Sequence, residues 1–374
     1  MPIRIPRPIA AITAVVALLV AVGPAPAQDK KKRVDVDESV KKGLTWLAKQ
    51  QSSDGSWQAN GGAYPTVCTG LAGMAMLMEG STLREGKYSD NLVKAVEWFN
   101  TRSQRNGLLG LPNSPTEAGR YTYGHGYGLM FLACAYGEED DKDRRKKLED
   151  LIQRAVDFTC KAQTKQGGWG YVSAADGNQF DEGSTTVTQL QALRAARNAG
   201  IAVPKGVIDN ATEYLRKCTT PRGGLIYNLG PSGQVPQNGA ERPPITAAAC
   251  ACAFSAGNYD DKYAKLWIKY CQEVIWNGGR HGAGGGHDDY QTYYFGQVVF
   301  ALGDDRYAEL FPNEKPENRM TWSKYRDNLY EFLKSRQGGD GGWTGGFDGN
   351  GIIVTCFNLT LLQLEKGLLP MYHR

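Results

Sequence analysis

Three short stretches hold the residue types that could move protons or grip a polar ligand. "GGRHGAGGGHDDYQTYY", residues 278–294, carries His281, His287, Asp288 and Asp289 on a glycine-rich loop, followed by Tyr290, Tyr293 and Tyr294. "EAGRYTYGHGYG", residues 117–128, sets Glu117, Arg120 and His125 among tyrosines that include Tyr123 and Tyr127. "DGNQFDEGSTT", residues 176–186, brings Asp176, Asp181 and Glu182 up to a run of hydroxyl residues, of which Ser184 and Thr185 read as N-caps. Carboxyl and imidazole groups gathered in one place suit general acid and base work. Acids at a helix start also sit well against the positive end of the helix dipole, which is the bland reading of the same residues. Asp181, Glu182, Asp288 and Asp289 are the candidate catalytic acids. His125, Tyr123, Tyr127, His287, Tyr290, Tyr293 and Tyr294 are the candidate ligand-binding residues.

The elements that must position these groups follow from a repeat. "QSSDGSW" (51–57), "QTKQGGW" (163–169) and "QGGDGGW" (337–343) align on their tryptophans. Each follows an amphipathic, helix-like segment and precedes, after a polar loop, a second segment of small and apolar residues. Weaker copies fill the gaps: "AVDFTCKAQTKQGGWGY" aligns without gaps to "ATEYLRKCTTPRGGLIY", and two further pairs of segments bring the count to six units. A helix with one charged face needs one buried face, whereas the second helix of each unit lacks charge over its middle turns and must be covered on all sides. The expected fold is therefore all-α, an α6/α6 toroid with an inner ring of six second helices inside an outer ring of six first helices. The three chemical stretches all begin inner helices, so they converge on one end, and a shared mouth is the default binding site. The recurring Gln/Gly/Trp phrase reads as structural: glycine for a close turn, tryptophan over the gap between neighbouring outer helices, glutamine on freed backbone groups.

These phrases resemble the QW motif of the terpene cyclase and protein prenyltransferase superfamily, which includes the squalene-hopene cyclases, over roughly residues 38–374. The resemblance implies a toroidal domain and, for its cyclases, an aspartic acid in a D-x-D-D-T motif that protonates an alkene. Matching the family's helix to Ala192-Leu193 puts Glu182, Gly183, Ser184 and Thr185 at the acid-motif positions, so the proton donor's place falls on Ser184 and the motif is absent. The zinc prenyltransferases of the superfamily use Asp, Cys and His ligands. Here "DDYQTYY" has Gln291 in the histidine's place, and an amide is a poor zinc ligand. The G-C-G-E-Q thioester loop of complement-like relatives is missing too. No metal and no cofactor are expected. The resemblance implies an apolar, isoprenoid-like or triterpenoid-like lipid as ligand, held without the standard chemistry. The alternatives are a divergent cyclase or isomerase with a relocated acid, and a glycan- or protein-binding envelope protein.

The N-terminus has Arg4 and Arg7, an apolar run near 9–22, and Ala25-Pro26-Ala27, the order of a secretory signal peptide. The sequence thus divides into a signal peptide (1–27, cleaved after Ala27), a charged leader (28–37) and one toroid domain (38–374), and predicts a secreted or periplasmic protein. No integral membrane span is expected in the mature chain. Loss of the two signal-peptide arginines takes the Lys+Arg excess from 4 to 2, which gives no reason to expect nucleic acid as a partner. The eight cysteines, at 68, 134, 160, 218, 250, 252, 271 and 356, have no C-x-x-C spacing and read mostly as core residues, with a Cys160–Cys218 bridge left open.

Overall fold

The computed structural model describes residues 34–230, 233, 239–257, 259–276, 288–345 and 349–373. Its α-helices are α1 (Asp37–Lys49), α2 (Pro65–Leu77), α3 (Ser89–Arg102), α4 (Tyr121–Gly137), α5 (Lys142–Ala162), α6 (Gly183–Asn198), α7 (Lys205–Lys217), α8 (Pro243–Ser255), α9 (Lys262–Val274), α10 (Asp288–Leu302), the short α11 (Arg306–Leu310), α12 (Trp322–Ser335) and α13 (Ile352–Gln363). Among the described residues there is no strand longer than an isolated bridge. Helices α2, α4, α6, α8, α10 and α13 pack in that order, and α13 returns to α2, so the inner ring is closed. Outer helices α1, α3, α5, α7, α9 and α12 pack around it. This is the α/α toroid that the repeat predicts.

Burial follows the charge pattern. Every residue of α13 is buried, and so is all of α2 except Val67. The outer helix α7 buries only Ile208, Ala211, Tyr214 and Leu215, one face of an amphipathic helix. Where inner helices touch, glycine sets the distance: a Cβ on Gly126 of α4 would lie 2.6 Å from the Thr188 methyl of α6.

The three Gln/Gly/Trp turns form the same bonds. Gln51, Gln163 and Gln337 each donate one amide to a glycine carbonyl of their own turn and to a first-turn carbonyl of the next outer helix, Asn91, Val207 and Ser39 respectively, at 2.8–2.9 Å. The indoles of Trp57, Trp169 and Trp343 donate to Leu47, Thr159 and Leu333 of their own outer helices, and their backbone N–H groups donate to Thr69, Thr186 and Thr355 of the inner helices. Gly167, at φ +99°, lies so close to the Asn210 carbonyl that a side chain has no room. The last turn uses these bonds to join α12 to α1, so one repeated element also closes the ring.

Two details differ from the sequence reading. The apolar run of the last inner segment continues in sequence to Tyr372, but α13 stops at Gln363, tightens to a 3-10 turn over Leu364–Lys366, and breaks at Gly367, φ +59°. A second 3-10 turn, Pro370–Tyr372, then packs against α6. All eight cysteines are free thiols, Cys160 half-buried and Cys218 buried, so the bridge left open is not formed. Burial pushes the Cys134, Cys218 and Cys252 thiols up to about 12, as expected of packing residues.

Candidate functional site

Neighbouring inner helices meet start to start, Gly124 of α4 against Thr66 of α2 and Gly183 of α6 against Ile245 of α8, so their N-termini share one end of the ring, its mouth. Glu182, rather than Ser184 or Thr185, is the N-cap of α6. Its two oxygens accept from the backbone N–H of Ser184 at 2.7 Å and of Thr185 at 2.6 Å, and from the Tyr123 hydroxyl at 3.1 Å and Ser184 Oγ at 2.7 Å. The carboxylate is fully buried, and these donors hold it. Asp181, also buried, accepts from Thr164 Oγ1, with the Tyr214 hydroxyl beside it. Burial raises its carboxyl above the usual range. Thr220 makes the same bond to Glu241 one unit later, which identifies the Asp181 contact as part of the turn.

His125 is buried behind the mouth. Its Nδ1 accepts the Leu109 N–H at 3.0 Å, which places the ring proton on Nε2, 2.8 Å from Thr159 Oγ1. Burial holds this imidazole down to about 3, so it is neutral. Asp288 and Asp289 open α10 beside a cleft of about 20 Å³, room for one water, together with Thr292, Arg336, Thr344 and Asn358. Burial raises the Asp289 carboxyl. His281 and His287 lie outside the described residues.

The tyrosines fill the ring along its axis. Tyr123, near Glu182 and Tyr290, is held well above the usual phenol range by burial and then by their charges. Below it, the rings of Tyr290 and Tyr294 are 4.7 Å apart, those of Tyr293 and Tyr294 4.8 Å, and Tyr293 stacks on Phe357 at 4.2 Å. Tyr127 Oη lies 3.5 Å from Tyr294 Oη, and Tyr293 Oη lies 3.1 Å from Tyr372 Oη, contributed by the C-terminal turn. Met371 packs on Cys134, near the far end of α4. Tyr127, Tyr293, Tyr294 and Tyr372 are 3, 2, 0 and 6 % exposed, so they pack on one another along this column.

Above the column sits a rim that the sequence reading passed over. The hydroxyls of Tyr171 and Tyr227 bond to each other. The Tyr171 ring lies 5.9 Å from Tyr123 and 5.5 Å from Phe180, and all four aromatics are half-buried. The exposed guanidiniums of Arg120 and Arg242 lie over the Tyr171 and Tyr227 rings at 5.5 and 5.9 Å. The signal was present in the aligned repeat, where "GGWGY" and "GGLIY" both end on tyrosine. The structure thus brings Tyr123, Glu182 and Tyr290 together, leaves His125 behind them, and buries Tyr127, Tyr293 and Tyr294 beneath them.

No protein-family model matches the chain, and no curated protein matches it in sequence. Solved structures match its fold. An inactive variant of the alpha-1,6-mannanase GH76A of Salegentibacter sp. HEL1_6, in complex with alpha-1,6-mannotriose, is 10 % identical with a TM-score of 0.61, covering 89 % of this chain and 100 % of its own. The type II terpene cyclase MstE from Scytonema is 13 % identical with a TM-score of 0.57, covering 89 % of this chain and 98 % of its own. A variant of that cyclase in complex with its substrate geranylgeranyl dihydroxybenzoate has a TM-score of 0.56 at 13 % identity, with the same coverage. At such identities the likeness carries the toroid and no activity.

Proposed function

We propose that the protein is an exported binding module that holds a glycan across the mouth of its inner ring. The observation that carries this reading is the contrast between the tyrosine-packed axis and the half-buried rim of Tyr123, Tyr171, Phe180 and Tyr227 above it. Aromatic faces suit sugar rings, and phenol hydroxyls and guanidiniums suit their oxygens. Two of the acids considered for catalysis, Asp181 and Glu182, are engaged in turn and cap bonds. The mannanase neighbour, crystallised with a mannose oligosaccharide, supports the glycan class. The signal-peptide-like segment at 1–27 supports an exported location, where polysaccharides are met.

An isoprenoid ligand is the second reading, favoured by the cyclase neighbour's bound substrate. It requires the Tyr127, Tyr293, Tyr294 and Tyr372 column to part. The test is to offer the purified protein a panel of neutral and acidic polysaccharides in affinity electrophoresis, and a squalene and polyprenyl lipid mixture followed by re-purification and mass spectrometry of the organic extract. Retardation by a polysaccharide with an empty extract supports the glycan reading. A retained lipid without any retardation replaces it with the second.

A further inference from the structure

We infer that the mouth selects an anionic ligand, an acidic polysaccharide bearing carboxylate or sulfate groups; this rests on the glycan reading and narrows it. Some arginines of the protein pair with a carboxylate and others, such as Arg145 over Tyr136 and Arg336 over Phe332, lie over a ring; the two at the mouth are of the second kind. Arg102, Arg144, Arg216, Arg222 and Arg326 each pair with a carboxylate. Arg120 and Arg242 pair with none among the described residues, and each instead rests against one ring of the hydrogen-bonded Tyr171–Tyr227 pair. A guanidinium held near a ring by cation–π attraction keeps its planar N–H fork free for two oxygens of one anion.

The groups between the two arginines are donors as well. Two phenol hydroxyls that bond to each other share one proton in that bond and leave the second for another acceptor. Neither hydroxyl has a further partner among the described residues. Glu182, a carboxylate close by, is already held by two backbone N–H groups at the positive end of α6, which offsets its charge. Two guanidiniums without a carboxylate and one spare phenol proton therefore lie together at this rim, with ring faces alongside for sugar stacking. An anion satisfies all of them, and a neutral sugar leaves the guanidiniums unpaired.

The experiment titrates the purified protein with polygalacturonate oligosaccharide, a neutral dextran oligosaccharide of matched length, sodium sulfate, and phosphatidylglycerol vesicles, at low and at moderate salt. The acidic oligosaccharide binds at least about tenfold more tightly than the neutral one, and its affinity falls by about tenfold as salt screens the contact. Arg120→Gln with Arg242→Gln removes that preference, so that the acidic oligosaccharide binds the variant no more tightly than the neutral one does. Both side chains are exposed, so a thermal melt within a degree or two of the parent certifies the fold. Tyr171→Phe with Tyr227→Phe keeps the rings, removes the spare proton and lowers acidic binding about threefold to tenfold. Equal affinity for the two oligosaccharides, unchanged by the arginine variant, overturns the anionic preference while the glycan reading stands. Tighter binding to vesicles than to polygalacturonate overturns the polysaccharide as the anion's carrier. Failure of both oligosaccharides overturns the glycan reading itself.

Discussion

The second and third hairpins solve the same joint with different side chains, and the two solutions meet on one residue. In the third, the Trp169 backbone N–H is taken by the Thr186 hydroxyl and its indole N–H by the Thr159 carbonyl. In the second, leucine stands in the tryptophan's place: the Leu109 N–H is taken by His125 Nδ1, and His125 Nε2 donates to the Thr159 hydroxyl, which donates in turn to the Ala155 carbonyl. The imidazole, edge-on to Phe158 at 4.8 Å, supplies both the acceptor of a threonine and part of the bulk of an indole. A histidine among glycines and tyrosines looks like an acid or base in the sequence, and here it is a spare part of the repeat.

The largest way to break the comparison is Trp169→Ala. It empties a fully buried site and orphans the Thr159 carbonyl, with an expected loss of about 3–5 kcal/mol in urea unfolding. Next comes pH. His125 is depressed in the folded protein to about 3 from 6.5, so the unfolded chain binds the extra proton between those values. The stability it contributes is complete above about pH 6.5 and is lost as pH falls toward 3. The expected loss is roughly 2 kcal/mol between pH 6.5 and 5, measured by denaturant titration, and His125→Gln flattens that slope. If the slope persists in the variant, the two joints are not equivalent. Glu182→Ala removes the cap of α6 and costs about 1–2 kcal/mol by the same assay. The smallest effect sharpens the equivalence: Thr186→Val keeps the shape, removes the acceptor for Trp169 N–H, and costs about 1 kcal/mol.

Much of the architecture was legible because it rests on local pattern. Six alternations of charged and nearly charge-free helices predict two concentric rings, and three Gln/Gly/Trp phrases predict a repeated turn. The turn's finer chemistry was partly legible: glutamine was expected on backbone carbonyls at a helix end, and it also reaches the next outer helix, a contact that needs the ring to exist. The candidate site was less legible. Glu182 was read as a mouth carboxylate with Ser184 and Thr185 as caps, and the roles are reversed, because a cap depends on which residue leaves the helical dihedrals first. Tyr171 and Tyr227 drew no attention despite their shared repeat position, since a hydroxyl pair 56 residues apart depends on the register of neighbouring hairpins.

The sequence by itself therefore determined the toroid, since period, amphipathicity and glycine placement act over a few residues and recur around the ring. Tertiary structure alone decided which polar groups are spent and which stay available. Glu182 meets backbone N–H groups and Tyr123, Tyr293 meets a C-terminal turn that folds back against α6, and Arg120 and Arg242 meet only rings. Those outcomes depend on how close distant segments come when the ring closes. A buried polar group takes whatever partner packing brings within about 3 Å, and spacing along one chain does not encode that distance.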